Sequence, residues 1–193
     1  MLKKINFSNH FMNIEKTIQQ YQHQLQKCRD VFQKKTKDYG TSWRVLRTAS
    51  LTDQLFIKAQ RIRTIEENQD QKISEGVESE FIGLVNYAII GLIQLSFSKD
   101  ANIDLSETEA LTLFDRESQK IKELMLAKNH DYGEAWRDMR ISSFTDLILM
   151  KLLRIRQIED NKGKTLISEG IDAGYQDIVN YSIFALIKLE EQK

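Results

Sequence analysis

KTKDYGTSWRVLRTASLTD, residues 35–53, returns as KNHDYGEAWRDMRISSFTD at residues 128–146. Asp38 pairs with Asp131, an offset of 93 that also aligns Tyr39 with Tyr132, Gly40 with Gly133, Trp43 with Trp136, Arg44 with Arg137 and Arg47 with Arg140. The same register runs on through Ser50 and Ser143, Asp53 and Asp146, Lys58 and Lys151, Arg61 and Arg154, Arg63 and Arg156, and Glu66 and Glu159. One inserted residue then shifts it to 94, where SEG (74–76) meets SEG (168–170) and VNY (85–87) meets VNY (179–181). A register kept this long marks a duplicated structural unit.

Each unit reads as three helices. The first, roughly 13–36 and 106–129, is polar with apolar punctuation. Ser106 followed by Glu109 has the form of a capping box, and the glycine of the DYG turn can end the helix at positive φ. A connector with the tryptophan and two arginines follows. Ser50 to Asp53 and Ser143 to Asp146 give S-x-x-D, a helix-start pattern, ahead of Leu55, Ala59, Ile62 and Ile65, or Ile148, Leu152, Ile155 and Ile158, at helical spacing. The third helix starts near SEG and runs through VNYAIIGLIQL or VNYSIFALIKL, apolar enough to be buried on most sides. Between the units, SFSKDANIDLS lacks helical periodicity and is rich in turn formers. This divides the chain into a first repeat at 1–97, a linker at 98–105 and a second repeat at 106–193. Three helices alone make a thin core, so the units are expected to pack face to face about a pseudo-two-fold axis as one all-α bundle.

Composition points the same way. The 193 residues include no proline and 8 glycines, so breakers of long helices are few. With 28 basic residues against 28 acidic ones, no excess positive field exists to hold a polyanion. Nucleic acid is therefore not expected as a bulk partner, although a few well-placed cations still suffice for a phosphate. The single cysteine, Cys28, excludes an intramolecular disulfide and a cysteine cluster for zinc, and a cytoplasmic location fits. No uninterrupted apolar stretch of about 18 residues is present, so no membrane partner is expected.

Several repeated residues carry potential chemistry. Lys58 with Arg61, and Lys151 with Arg154, stand three apart on helix two and project from one face. Two cations together suit a phosphate, while a solvated basic face pairing with Glu66 or Glu159 would show the same spacing. Helix three carries acids: Glu75, Glu78 and Glu80 in the first unit, Glu169, Asp172 and Asp177 in the second. A divalent ion such as Mg2+ needs several hard oxygen ligands, and Glu75 with Glu78, or Glu169 with Asp172, has the spacing to supply two. Acids in a first turn also favour the helix dipole with no ligand at all.

Asp177 is the sharpest of these acids, because it lies inside the apolar segment GYQDIVNYSIFALI one turn before Asn180. A carboxylate buried there needs a partner, either a metal or an arginine of its own repeat. The first unit has Gly83 at that place and Glu80 one turn earlier, where the second has Gly174. The half-patterns E-x-x-G and G-x-x-D are therefore expected to make one composite or degenerate site. Tyr39, Trp43, Tyr132 and Trp136 flank the cationic helix and offer faces on which a base can stack, although tryptophan is equally a core anchor. Arg44, Arg47, Arg137 and Arg140 are difficult to place in a core and strengthen an anion site, and Asn86 and Asn180 of the VNY elements count among the ligand contacts. His10, His23 and His130 show no motif spacing. No Walker loop, G-x-G-x-x-G or Ser-His-Asp grouping is present.

At KNHDYGEAWRDMR, followed by SSFTDLILMKLLRIRQIE and QDIVNYSIFALIKL, the second unit resembles the nucleotide-modification-associated domain family, small helical domains of bacteria and phages. The first unit resembles it too, and the likeness spans about 34–95 and 127–189. It implies a link to nucleotide or modified-base metabolism. More distantly, the acidic third helix is similar to the E-x-x-D helix of the all-α nucleoside triphosphate pyrophosphohydrolases of the MazG type, with Asp177 at the last acid and Glu80 at the first. Gly174 and Gly83 depart from that motif. This second likeness implies Mg2+-assisted pyrophosphate hydrolysis, with Asp177, Glu169 and Glu80 as catalytic acids, Asp172, Glu75 and Glu78 joining them on the metal, and the Lys58, Arg61, Lys151 and Arg154 cations neutralising the phosphates. The expected partner is a nucleotide or other phosphorylated small molecule, with a homodimer left open. The rival is a non-catalytic helical interaction module whose repeated polar residues only pin its helices together.

Overall fold

The computed structural model describes residues 7–68, 76–97, 103–165 and 169–193. Among them, α1 (Phe7–Tyr39), α2 (Thr48–Asn68) and α3 (Val77–Leu95) form the first repeat, and α4 (Glu107–Tyr132), α5 (Ile141–Asp160) and α6 (Ile171–Glu191) the second. A 3-10 turn at Ser42–Val45 precedes α2 and another at Ala135–Asp138 precedes α5, and there is no strand among the described residues. The all-α, twice-repeated architecture is thus as expected. Of the expected linker, residues 98–102 lie outside the described residues.

Local chemistry sets the helix ends. α1 and α4 each run to the tyrosine of DYG, and the glycine that follows, Gly40 or Gly133, takes φ of +63°, a conformation other residues adopt only at a cost. Ser106 and Glu109 form the capping box: Glu109 N–H donates to Ser106 Oγ at 3.2 Å and Ser106 N–H to Glu109 Oε2 at 2.8 Å. The S-x-x-D sequences do not act as caps. α2 opens at Thr48 and α5 at Ile141, which places Ser50 and Ser143 inside the first turn, and Arg140 stands at the N-cap of α5 with no side-chain capping bond. Leu46 and Met139 leave the 3-10 turns in extended conformation, so each helix begins before its serine is reached. The aspartates are drawn across the molecule instead.

α3 and α6 form the core and run antiparallel. Glu78, at the start of α3, meets Lys193 beyond the end of α6 at 2.6 Å, while Gly91, near the end of α3, lies against the ring of Tyr175 near the start of α6. Together they bury Phe81, Leu84, Val85, Ile89 and Ile93 of α3 and Ile178, Val179, Ile183 and Leu186 of α6, each such side chain contributing about 1.5–3 kcal/mol. α3 is apolar and long enough to pass for a membrane span, but 61% of that stretch is buried inside the bundle, as the central helix of a helical core requires.

α2 and α5 close over this pair in a joint that is its own pseudo-two-fold image. Thr145 Oγ1 donates to Glu66 Oε1 at 3.0 Å, and Thr52 Oγ1 donates to Glu159 Oε1 at 3.1 Å. Arg156 reaches Asp53 at 2.5 Å and Arg63 reaches Asp146 at 3.8 Å. Thr52 and Thr145 stand 93 apart, as do Glu66 and Glu159, so this block of repeated polar residues fastens one repeat to the other.

Desolvation holds the carboxyls of Glu66 and Glu159 above their ordinary value of 4.5, outweighing the lowering effect of the threonine bonds. A carboxyl raised in the folded state favours folding while protonated. That contribution is therefore complete below about pH 4.5 and is lost as pH rises through the folded value. Glutamine keeps the acceptor and removes the charge. The double variant Glu66→Gln, Glu159→Gln is expected to melt above the wild type at pH 7 and to show a flatter melting profile from pH 4.5 upward. Superimposable profiles would mean that other groups govern the pH response.

Candidate functional site

A pocket of about 520 Å³ opens in the first repeat between α1, the 3-10 turn, α2 and α3. Lys35, Thr36 and Tyr39 reach it from one stripe of α1, Trp43 from the turn, Lys58 from α2, and Glu80, Gly83, Asn86, Tyr87 and Ile90 from α3. The three- and four-residue steps within α1 and α3 put these side chains on single helix faces.

Glu80, only 4% exposed, is held by two cations of α2. Lys58 Nζ lies 3.1 Å from Oε2, and Arg61 Nη1 donates to Oε1. A buried carboxylate survives only with such partners. The stem of Lys58 crosses Gly83 so closely that a Cβ there would lie 2.9 Å from Lys58 Cε, and its ammonium sits 5.9 Å from the centre of the Tyr87 ring. Lys35 is exposed on the wall of the same pocket with no ion pair among the described residues. Asn86 Nδ2 donates to the Cys28 carbonyl at 3.0 Å, yet Asn86 Oδ1 and Trp43 Nε1 are buried without a partner. Tyr39, 70% exposed, stands at the rim. Lys35 and Lys58 against the single Glu80 carboxylate leave the pocket lining with a net positive charge.

The second repeat fills the equivalent space. Asp177, 5% exposed, binds Lys128 through Oδ1 at 2.6 Å and Lys151 through Oδ2 at 2.5 Å. Trp136 stacks on Phe184 with centroids 4.3 Å apart and planes 7° from parallel. In the first repeat Ile90 stands where Phe184 would be, and Trp43 is left half-buried against the pocket. Gly174 packs on Ile155, and the space beside Lys151, Arg154 and Glu169 is only about 20 Å³. Asn180 accepts from the Tyr21 hydroxyl at 2.8 Å, and Tyr132 points outward, 78% exposed.

The structure does not join the two half-patterns across the seam. Glu80 lies in the first turn of α3, level with the end of α6, while Asp177 lies two residues from Tyr175 and so beside the far end of α3. Each acid is neutralised by cations of its own repeat. Of the other acids, Glu78 pairs with Lys193 and Lys27 at the surface, Glu169 and Asp172 are exposed, and Glu75 lies outside the described residues. No three acids, histidines or cysteines converge among the described residues, so the described acids do not assemble the near-octahedral oxygen set that a Mg2+ ion takes.

The connector arginines also divide. Arg44 is buried, bonded to Gln94 and stacked 3.8 Å over Phe97. Arg137 binds Glu134 at 2.9 Å, Gln20 at 2.8 Å and Thr17 at 2.5 Å while lying over Trp136. Both clamp a 3-10 turn to the helices. Arg47 and Arg140 are exposed. Lys35 and Lys128 are the site residues that the K-x-x-R spacing missed. They open the two matched stretches, 93 apart, and that register is the signal that finds them.

Fold and site together define an all-α protein of two tandem three-helix repeats, with a cationic pocket in the first and its counterpart filled in the second. The family model described as nucleotide modification associated domain 1 matches residues 35–95 and 128–189. That is one match per repeat and more than half of the chain, and the protein belongs to this family, whose description ties it to nucleotide metabolism. No curated protein and no solved structure matches it.

Because Asp177 is committed to its own lysines, Asp177→Asn is expected to cost about 1–3 kcal/mol of stability, the range for leaving a buried donor unsatisfied, carried mainly by Lys151 because Lys128 is half exposed, and to lower the melting temperature by several degrees. The first-repeat pocket should be unaffected. A melting temperature equal to that of the wild type would show that the two lysines do not depend on this carboxylate.

Proposed function

We propose that the first repeat binds a nucleotide, or a phosphorylated small molecule much like one, in the pocket between α1, α2 and α3. The observation that carries this reading is that ammonium groups and aromatic faces line one cavity: Lys35 and Lys58 with Tyr39, Trp43 and Tyr87. Lysines give phosphate oxygens short, charge-assisted hydrogen bonds, and aromatic rings accept a base by stacking. At about 520 Å³ the cavity falls in the range of roughly 300–1,000 Å³ usual for small-molecule sites. Family membership favours a nucleotide over other phosphorylated compounds. The balanced net charge favours a small ligand over a polynucleotide.

Hydrolysis of a pyrophosphate bond would need a metal or a base beside the phosphates, and the described acids are separated and each already committed or exposed. Binding is therefore the reading the geometry supports, and hydrolysis is an added outcome of the same experiment. The protein is screened by thermal shift against nucleoside mono-, di- and triphosphates with and without Mg2+, and phosphate and pyrophosphate release is followed in parallel. A ligand at 100 times its Kd stabilises the fold by about 2.7 kcal/mol, a rise of several degrees. Lys35→Met removes a cation with no internal partner, so it should leave the unliganded melting temperature unchanged and weaken the ligand about tenfold or more, as loss of a charged hydrogen bond does. A flat response to the whole panel leaves a helical interaction module in place of a ligand-binding protein.

A further inference from the structure

We infer that the ligand's anionic group sits over Gly83, bridged by Lys35 and Lys58, in the place that the Asp177 carboxylate takes in the second repeat. This rests on the pocket reading above and adds where the charge goes and which repeat receives it. In the second repeat one anion spans two ammonium groups, with Lys128 at 2.6 Å on one oxygen and Lys151 at 2.5 Å on the other. Their counterparts in the first repeat are Lys35 and Lys58, and the counterpart of Asp177 is Gly83. Both cations are retained and the carboxylate is deleted.

The local geometry agrees. Lys58 Nζ lies 3.1 Å from where a Gly83 Cβ would stand, so the ammonium is already poised over the glycine. Glu80 keeps it there through its 3.1 Å contact, whereas the second repeat has Gly174 at that position and orients Lys151 through Asp177 alone. Lys35 has no ion pair among the described residues, and Asn86, one turn along α3, lines the same pocket. Glu80 is thus a positioning residue for the anion site. The second repeat is a copy occupied by its own side chain, and each chain takes one ligand. The group is an anion with two oxygens free to bridge two lysines, and the excess of cations favours a terminal phosphate monoester over a carboxylate.

Calorimetry on the full chain tests this with a nucleoside monophosphate, the parent nucleoside, the matching 5′-carboxylate and inorganic phosphate. One equivalent of monophosphate is expected to bind, with the nucleoside weaker by at least about tenfold, the loss expected for charged hydrogen bonds. Gly83→Asp reproduces the second repeat. It should weaken the monophosphate at least about tenfold, while Gly83→Asn, which adds the same bulk and displaces the Lys58 stem in the same way but carries no charge, should weaken it less. Asp177→Gly should melt lower, recover with added inorganic phosphate and bind that ion in the second repeat, while still taking one equivalent of monophosphate, because Phe184 stacked on Trp136 leaves no room there for a base. If the wild type binds no nucleotide, the pocket reading itself fails. If it binds one and Gly83→Asp binds it equally well, the pocket stands and the placement over Gly83 is wrong. A 5′-carboxylate that binds as tightly as the monophosphate overturns the choice of phosphate. Should Gly83→Asp not fold, Asp177→Gly decides alone, and failure of phosphate to restore its melting temperature overturns the proposal.

Discussion

The contact of α3 on α6 is the constraint around which the molecule is built. Each helix is apolar over most of its circumference, so neither can be solvated, and each finds in the other an antiparallel partner of the same length and character. The polar residues repeated on α2 and α5 follow from this arrangement. Once the central pair is set, Thr52 and Thr145 fall opposite Glu159 and Glu66, and the two contacts are images of each other. A duplicated sequence packed about a pseudo-two-fold axis satisfies both halves of such a joint with one set of residues.

The same core imposes a second demand, because the third helix of each repeat buries one carboxylate. Glu80 and Asp177 occupy different turns of equivalent helices, and both are tolerated because cations from neighbouring helices meet them. The choice of turn decides what else the repeat can do. With the acid on the earlier turn, Lys58 is held from one side and Lys35 stays unpaired beside a cavity. With the acid on the later turn, both lysines are consumed. Phe184 against Trp136 then completes the filling of the second repeat.

Much of this was legible in the residues. The 93-residue register, the DYG helix ends, the capping box at Ser106 and the buried third helices are local or periodic features, and sequence carries local and periodic information directly. Asp177 could be seen to need a partner, but not which one, because Lys128 lies 49 residues away and its approach is a tertiary fact. The S-x-x-D patterns misled because a serine three residues before an aspartate is a cap only if the chain enters the helix there, and the extended exits of the 3-10 turns bring the helix in earlier. Arg44 and Arg137 looked like anion ligands, yet their guanidinium groups stack on aromatic rings and satisfy neighbouring polar groups, an option that spacing does not display. The exchange of Asp177 for Gly83 is plain in the register, but the cavity beside it depends on how Lys58, Trp43 and Ile90 pack, which no register displays.

The chain has two tryptophans, and the divergence of the repeats gives them unlike surroundings. Trp136 is clamped in a parallel stack with Phe184 under the guanidinium of Arg137, whereas Trp43 forms part of the pocket wall. The protein therefore carries an intrinsic optical probe and its own internal standard: emission from one indole is fixed by the packed half, and emission from the other varies with whatever enters the open half.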